Sequence, residues 1–176
     1  ERPWDTNHWT VAGSTIEPYA ALAPDNTYTA NKLFMNSGSG TYLTSSVVLG
    51  LDSSKTYTAS FYIKSTGISS HYNFFVNTGN SSSMSLKTET PKTPVPNEWT
   101  RVELTFTLGT NNDRAEIGVR NALDNYTIDA LIWGFQLEEG DSASTYVPSI
   151  DTFTSRASSA TYVDSTGLIK TAALNY

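Results

Sequence analysis

At 176 residues the chain is the size of one ordinary domain, long enough to bury a core without help from metal or disulfide. It has no cysteine, which excludes disulfide stapling, thiolate catalysis and cysteine–zinc sites. Its net charge is −6 with lysines and arginines scattered. That disfavours nucleic acid, whose phosphates need clustered cations, and no run of about 18 apolar residues is present to cross a membrane. Ser, Thr, Asn and Tyr are abundant while charge is sparse. This suits a neutral, hydroxyl-rich ligand, although extracellular all-β proteins share such a composition whatever they bind. Glu1-Arg-Pro-Trp-Asp5 does not read as a signal peptide, and the chain is expected to begin inside a longer protein.

No segment carries a helical apolar stripe. Short β-rich runs alternate with Gly, Asn, Ser, Asp and Pro clusters, the pattern of an antiparallel sandwich. Trp9 and Val11 share a face of a first strand, with Trp9 read as core. Thr41 to Leu51 holds an early strand ending in the Leu49-Gly-Leu-Asp-Ser-Ser-Lys55 turn. Thr56 to Lys64 places Tyr57, Ala59, Phe61 and Ile63 inward and Thr58, Ser60, Tyr62 and Lys64 outward. Ser70 to Asn77 sets Tyr72, Phe74 and Val76 against His71, Asn73, Phe75 and Asn77. Gly79 to Ser83 is a loop. Thr90 to Asn97, with its three prolines, is read as a connection crossing between sheets, and Trp99 as a plug at the sandwich edge.

Thr100 to Leu108 alternates cleanly, with Val102, Leu104, Phe106 and Leu108 inward. Gly109 to Asp113 is a turn with an Asn111-Asn-Asp113 tip. Arg114 to Arg120 buries Ala115, Ile117 and Val119. Thr127 to Glu138 closes the set. Within it Leu131, Trp133, Phe135 and Leu137 fall on one face, and Ile132, Gly134, Gln136 and Glu138 on the other. Trp133 is therefore read as core, and Gly134 as leaving room for something to approach the backbone. With the N-terminal runs this gives about eight strands, enough for a two-sheet jelly roll. Residues 1–148 form the sandwich. Residues 149–176 read as a C-terminal connector or ribbon, with strands at Ala160–Val163 and Leu168–Thr171 around an Asp164-Ser-Thr-Gly167 turn.

Three stretches carry a family resemblance: Ala23-Pro-Asp-Asn-Thr-Tyr-Thr-Ala-Asn-Lys-Leu33, Trp99-Thr-Arg101 and Ile132-Trp-Gly-Phe-Gln-Leu-Glu138. Together they resemble the jelly-roll carbohydrate-binding modules of xylanases and endoglucanases, a galactose-binding-like fold. They resemble more closely the versions embedded in bacteriophage tail, fibre and head-decoration proteins. The Tyr146-Val-Pro148 exit and the run from Thr154 to Ala172, with Ser155 inserted before Arg156, are similar to segments of that phage group, and Trp4 to Trp9 resembles its aromatic first strand. The resemblance implies a non-catalytic glycan-binding role, a structural calcium ion, and an extracellular or virion-surface location. It also implies a possible homo-oligomer or virion assembly as partner.

A glycan face needs an aromatic platform for pyranose C–H groups and polar side chains for the hydroxyls. The outward positions supply Tyr62, Lys64, Asn73, Phe75, Asn77, Glu116, Arg120 and Gln136, expected to converge on the concave face of one sheet. Phe75 and Tyr62 are either platforms or rings covered by a loop; Arg120 and Gln136 either serve the ligand or bond neighbouring strands. Trp4 is the tryptophan expected to be exposed. For calcium, Asp25 in its Pro-Asp-Asn-Thr turn and Glu138 on the closing strand are the expected ligands, with Asp129 as substitute. The bland alternative is that Asp25 caps its turn and Glu138 is solvated.

Catalysis is not expected. His8 and His71 lack zinc-binding spacing, and no Gly-x-Ser-x-Gly elbow occurs. Glu103 and Glu116 share an outward parity and would form a glycosidase pair only if their strands met. Arg101-Val-Glu-Leu104 faintly resembles one motif of jelly-roll polysaccharide lyases, without the companion strands. The rival to glycan binding is a purely architectural phage module whose outward face meets protein.

Overall fold

The computed structural model describes residues 8–38, 40–66, 71–93, 95–121, 127–148, 161–164 and 166–171. Thirteen strands run through them: β1 (Trp9–Ala12), β2 (Ser14–Ala21), β3 (Ala30–Met35), β4 (Tyr42–Ser45), β5 (Val48–Leu49), β6 (Thr56–Ser65), β7 (Tyr72–Gly79), β8 (Met84–Lys92), β9 (Thr100–Thr107), β10 (Arg114–Asn121), β11 (Ile128–Glu139), β12 (Thr161–Val163) and β13 (Ile169–Thr171). The fold is an all-β sandwich of a six-stranded and a seven-stranded sheet. The first runs β1-β4-β10-β7-β8, with β5 also on β10. The second is built on β11, which pairs with β6 on one side and with β3 and β13 on the other; β9 lies beyond β6 and β2 beyond β3. Among the described strands pairing is antiparallel except where Ile169 of β13 runs parallel to the end of β11 at Glu138; an isolated parallel bridge joins Ser65 to Pro96.

The alternation read from the sequence becomes the core. Tyr57, Ala59, Phe61 and Ile63 of β6, Tyr72, Phe74 and Val76 of β7, Ala115, Ile117 and Val119 of β10, and Val102 and Phe106 of β9 fill one buried cluster between the sheets. Phe61 is its hub. It stacks on Phe135 at 4.6 Å and tilts against Phe74 at 4.8 Å, and Phe135 in turn meets Trp9 at 4.7 Å. Trp9 thus packs against the core, whereas Val11, which shares its parity, is exposed; Trp4 lies outside the described residues.

Three features depart from the expected strands. Thr41 to Leu51 is broken at Ser46–Val47 into β4 and the two-residue β5. The segment from Met84 to Lys92, of which the sequence assigns only Thr90 to Lys92, as the start of a crossing connection, is a strand on β7, with Pro91 opposite Asn73. It is the last strand of its sheet, the position where a residue without an amide proton is tolerated. Its mostly polar sequence, with a register shift between Val76 and Asn77, hides the period of two.

The third departure is in β11. Trp133 pairs with Tyr62 and Gln136 with Ser60, so two residues of β11 lie against Phe61 alone. This bulge sits at Gly134, whose φ of +65° is in the left-handed region. The extra residue inverts the parity. Ile132 faces the core before it and Phe135 and Leu137 after it, while Trp133 is turned outward. Trp133 is only 3% exposed, yet it belongs to a second apolar cluster on the outer face, with Ala23, Ala30, Tyr62, Trp99 and Tyr146. Trp99 therefore packs on the face of the second sheet and does not plug the sandwich edge.

The space at Gly134 is filled by the chain itself: a methyl group there would lie 3.2 Å from the Tyr146 ring. Beyond the exit, β12 and β13 form a hairpin around Asp164, whose Oδ1 accepts from the Thr166 and Leu168 amides. Leu168 is part of the main core, so this hairpin packs on the sandwich. Because the bulge needs positive φ, replacing Gly134 with Ala is expected to lower unfolding stability by about 1–2 kcal/mol, read as a reduced urea midpoint at constant m-value.

Candidate functional site

The outer face of the six-stranded sheet gathers five of the eight residues expected to bind ligand. Register places Asn73 opposite Arg120, Phe75 opposite Gly118, and Asn77 opposite Glu116 on β7 and β10. Asn77 Nδ2 donates to Glu116 Oε1 at 2.6 Å. The next strand on one side brings Tyr42 beside Arg120 and Thr44 beside Gly118; β8 on the other brings Glu89 beside Phe75.

Glu89 was not legible as a site residue, because β8 itself was not. It organises the face. One carboxylate oxygen, Oε2, accepts from Asn73 Nδ2 at 3.0 Å, from Arg120 Nε at 3.0 Å and from Arg120 Nη2. The Arg120 guanidinium lies over the Phe75 ring, 5.5 Å from its centroid. Phe75 is 5% exposed, and a methyl group on Gly118 would fall 2.6 Å from its ring. Phe75 is thus sandwiched between glycine backbone and guanidinium and is not an open platform. Around Phe75 two carboxylates, Glu89 and Glu116, face the single cation Arg120.

Tyr62, Lys64 and Gln136 lie on the opposite side of the sandwich, on the outer face of the seven-stranded sheet. The eight residues do not form one groove. Tyr62 packs between Trp133, at 5.5 Å, and the Arg101 guanidinium, also 5.5 Å from its ring centroid. Lys64 sits beside Leu131. Gln136, 5% exposed, accepts from the Val147 amide at 2.7 Å and donates to Glu138 at 3.1 Å. The side chain fastens the exit segment down and is no ligand group. The parity argument sorted inward from outward correctly in β6, β7 and β10, but both sheets have an outer face, and parity does not say which.

Glu138 is likewise occupied. It is 5% exposed, and its carboxylate accepts from the Ser144 amide and hydroxyl and from Gln136, with Arg101 Nη2 at 4.0 Å. Asp25 Oδ1 accepts from the amide and hydroxyl of Thr27, an Asx turn. Asp129 is bridged to Lys32 at 3.4 Å and receives the Thr66 hydroxyl. Among the described residues no three acidic or histidine side chains gather as a metal cage. A calcium ion needs oxygen lone pairs turned toward it, whereas those of Glu138 face N–H and O–H donors. Glu138 does not fit the ion, and Asp25 keeps Oδ1 on Thr27 outside any cluster of three acidic or histidine side chains among the described residues.

The possible enzymatic pairs separate too. Glu103 is on β9 and Glu116 on β10, in different sheets, so they do not flank one cleft. Arg101 donates to Ser60 at 3.1 Å and covers Tyr62, a structural engagement. A protein holding a structural cation loses stability when it is stripped; here the melting temperature is expected to be the same in EDTA and in millimolar calcium. A calcium-dependent rise of several degrees would show a cation site that Asp25 and Glu138 do not explain.

In sequence, no family model and no curated protein matches the chain. In structure, the CBM22-1 xylan-binding domain of Xyn10C from Paenibacillus barcinonensis matches with a TM-score of 0.59 at 10% identity, over 78% of this chain and 89% of that one. The CBM22-1–GH10 portion of endo-1,4-beta-D-xylanase 10B from Clostridium thermocellum, complexed with xylohexaose, matches at 0.58 and 14% identity over 81% of this chain. The enzymatically active domain of tailspike protein 4 from bacteriophage CBA120 matches at 0.58 and 14% identity over 77% of this chain. The chain covers only 28% of that xylanase portion and 20% of that tailspike domain. The fold is that of the carbohydrate-binding jelly-roll modules.

Proposed function

We propose that the chain is a non-catalytic glycan-binding module, and that the outer face of the six-stranded sheet holds the polysaccharide. The observation that carries this is the contiguous set Asn73, Asn77, Glu89, Glu116 and Arg120 around a single aromatic, Phe75, on three adjacent strands. Asn77 and Glu116 are fixed by one another, so little of their rotamer entropy remains to be lost on binding. Their surplus of acceptors matches the donor-rich edge of a polyol. The similarity to xylan-binding modules supports the same role.

The setting we propose is a bacteriophage structural or receptor-binding protein, outside the cell or on the virion surface, where many copies adsorb to a surface glycan. This is supported by the similarity to a phage tailspike domain and by the sequence resemblance above. Weak binding by each module would then be multiplied by avidity.

Affinity electrophoresis through gels containing xylan or mixed-linked β-glucan tests the reading. Retardation by at least one is expected. Asn77→Ala and Glu116→Ala should each weaken it by roughly three- to tenfold, the value of one hydrogen bond, with the melting temperature lowered by no more than about 2–4 °C. Migration indifferent to every neutral polysaccharide would overturn the reading. In that case, loss of oligomer or particle attachment in the same variants would favour an architectural module.

A further inference from the structure

Resting on the glycan-binding role proposed above, we infer that this face is latched. Arg120 roofs a concealed sugar subsite formed by the Phe75 ring and the side-chain carbonyl of Asn73, and a neutral pyranose enters by displacing the guanidinium.

Phe75 is anomalous for a buried aromatic. It is 5% exposed, yet it belongs neither to the core between the sheets nor to the cluster around Trp133. Gly118 supplies backbone beneath it, and Arg120 lies above it at 5.5 Å. A ring on a polar outer face, floored by glycine and covered by a removable side chain, is a stacking platform in its closed state.

The second observation is Asn73. Its amide nitrogen is committed to Glu89, which leaves Oδ1 buried with no partner among the described residues. An unpaired buried acceptor is unfavourable, and this one sits on the strand of Phe75, two residues away on the same face. A pyranose stacked by its C–H face on Phe75 carries equatorial hydroxyls at its rim, suited to donate to such an acceptor.

The latch is weak enough to open. The Arg120–Glu89 pair is partly exposed, with side chains 39% and 29% accessible, and partly exposed ion pairs and cation–π contacts are each only modestly favourable. All three donors converge on one oxygen, Oε2 of Glu89, so a single carboxylate holds the roof and orients Asn73 together. The same carboxylate, freed of its cation when the roof lifts, faces the ligand alongside Glu116. Uronates and sulfated sugars are therefore disfavoured and neutral hydroxylated ones favoured.

The test uses the intact chain with xylohexaose and a β-1,3-1,4-mixed-linked tetrasaccharide as calorimetric probes, and ¹⁵N relaxation of the Arg120 Nε–H without ligand. Glu89→Gln should loosen the Arg120 side chain. Glu89→Gln and Arg120→Ala should tighten binding by roughly two- to tenfold, since the closed state no longer competes. Phe75→Leu, which keeps apolar volume without a ring face, should lose binding while melting normally. Binding by wild type that is lost in Arg120→Ala would make Arg120 a direct ligand donor and overturn the latch while leaving the glycan-binding role intact. An Arg120 Nε–H as rigid in Glu89→Gln as in wild type would overturn it without reference to ligand. No binding by any variant, the unlatched ones included, would overturn both.

Discussion

The structure depends on the course of one strand. β11 is the longest of the described strands and the spine of the seven-stranded sheet, pairing with β6 along its length and with β3 and then β13 on its other side. A regular strand of that length would put Trp133, Phe135 and Leu137 on one face. The left-handed residue at Gly134 divides the strand instead. Ile132, Phe135 and Leu137 reach the shared core while Trp133 seeds a second apolar layer outside it. The outer layer explains how Thr58, Ser60, Gln136 and Glu138 are all buried on what pattern alone marks as a solvent face. The exit segment lies across them, and Gln136 and Glu138 satisfy its amides.

The two outer faces thus differ in kind. That of the seven-stranded sheet is covered by the protein's own chain, its aromatics and carboxylate already partnered. That of the six-stranded sheet presents Asn, Glu and Arg side chains that partner one another across strands. One face is closed by structure, and the polar network lies on the other.

Much of this was readable from residue order. β6, β7, β9 and β10 alternate so regularly that their buried sets follow from a period of two, and the turn at Gly109–Asp113 is announced by its polar tip. What escaped had physical causes. β8 is an edge strand with one neighbour, so burial imposes no hydrophobic alternation on it, and Glu89 was lost with it. The β11 bulge is an irregularity that periodicity cannot foresee, although Gly134 between two aromatics was a signal. The site residues divided between two faces because parity distinguishes in from out but not one sheet from another. Only strand order does that, and it is a long-range property of the chain.

The edge itself bears on how such a molecule behaves in numbers. β8 ends its sheet with Lys87 and Lys92 exposed and with Pro91 in the last turn of pairing. Proline offers no amide proton and lysines repel their like, which discourages a further strand from annealing there. Copies packed shoulder to shoulder would therefore not fuse through this flank into a continuous ribbon.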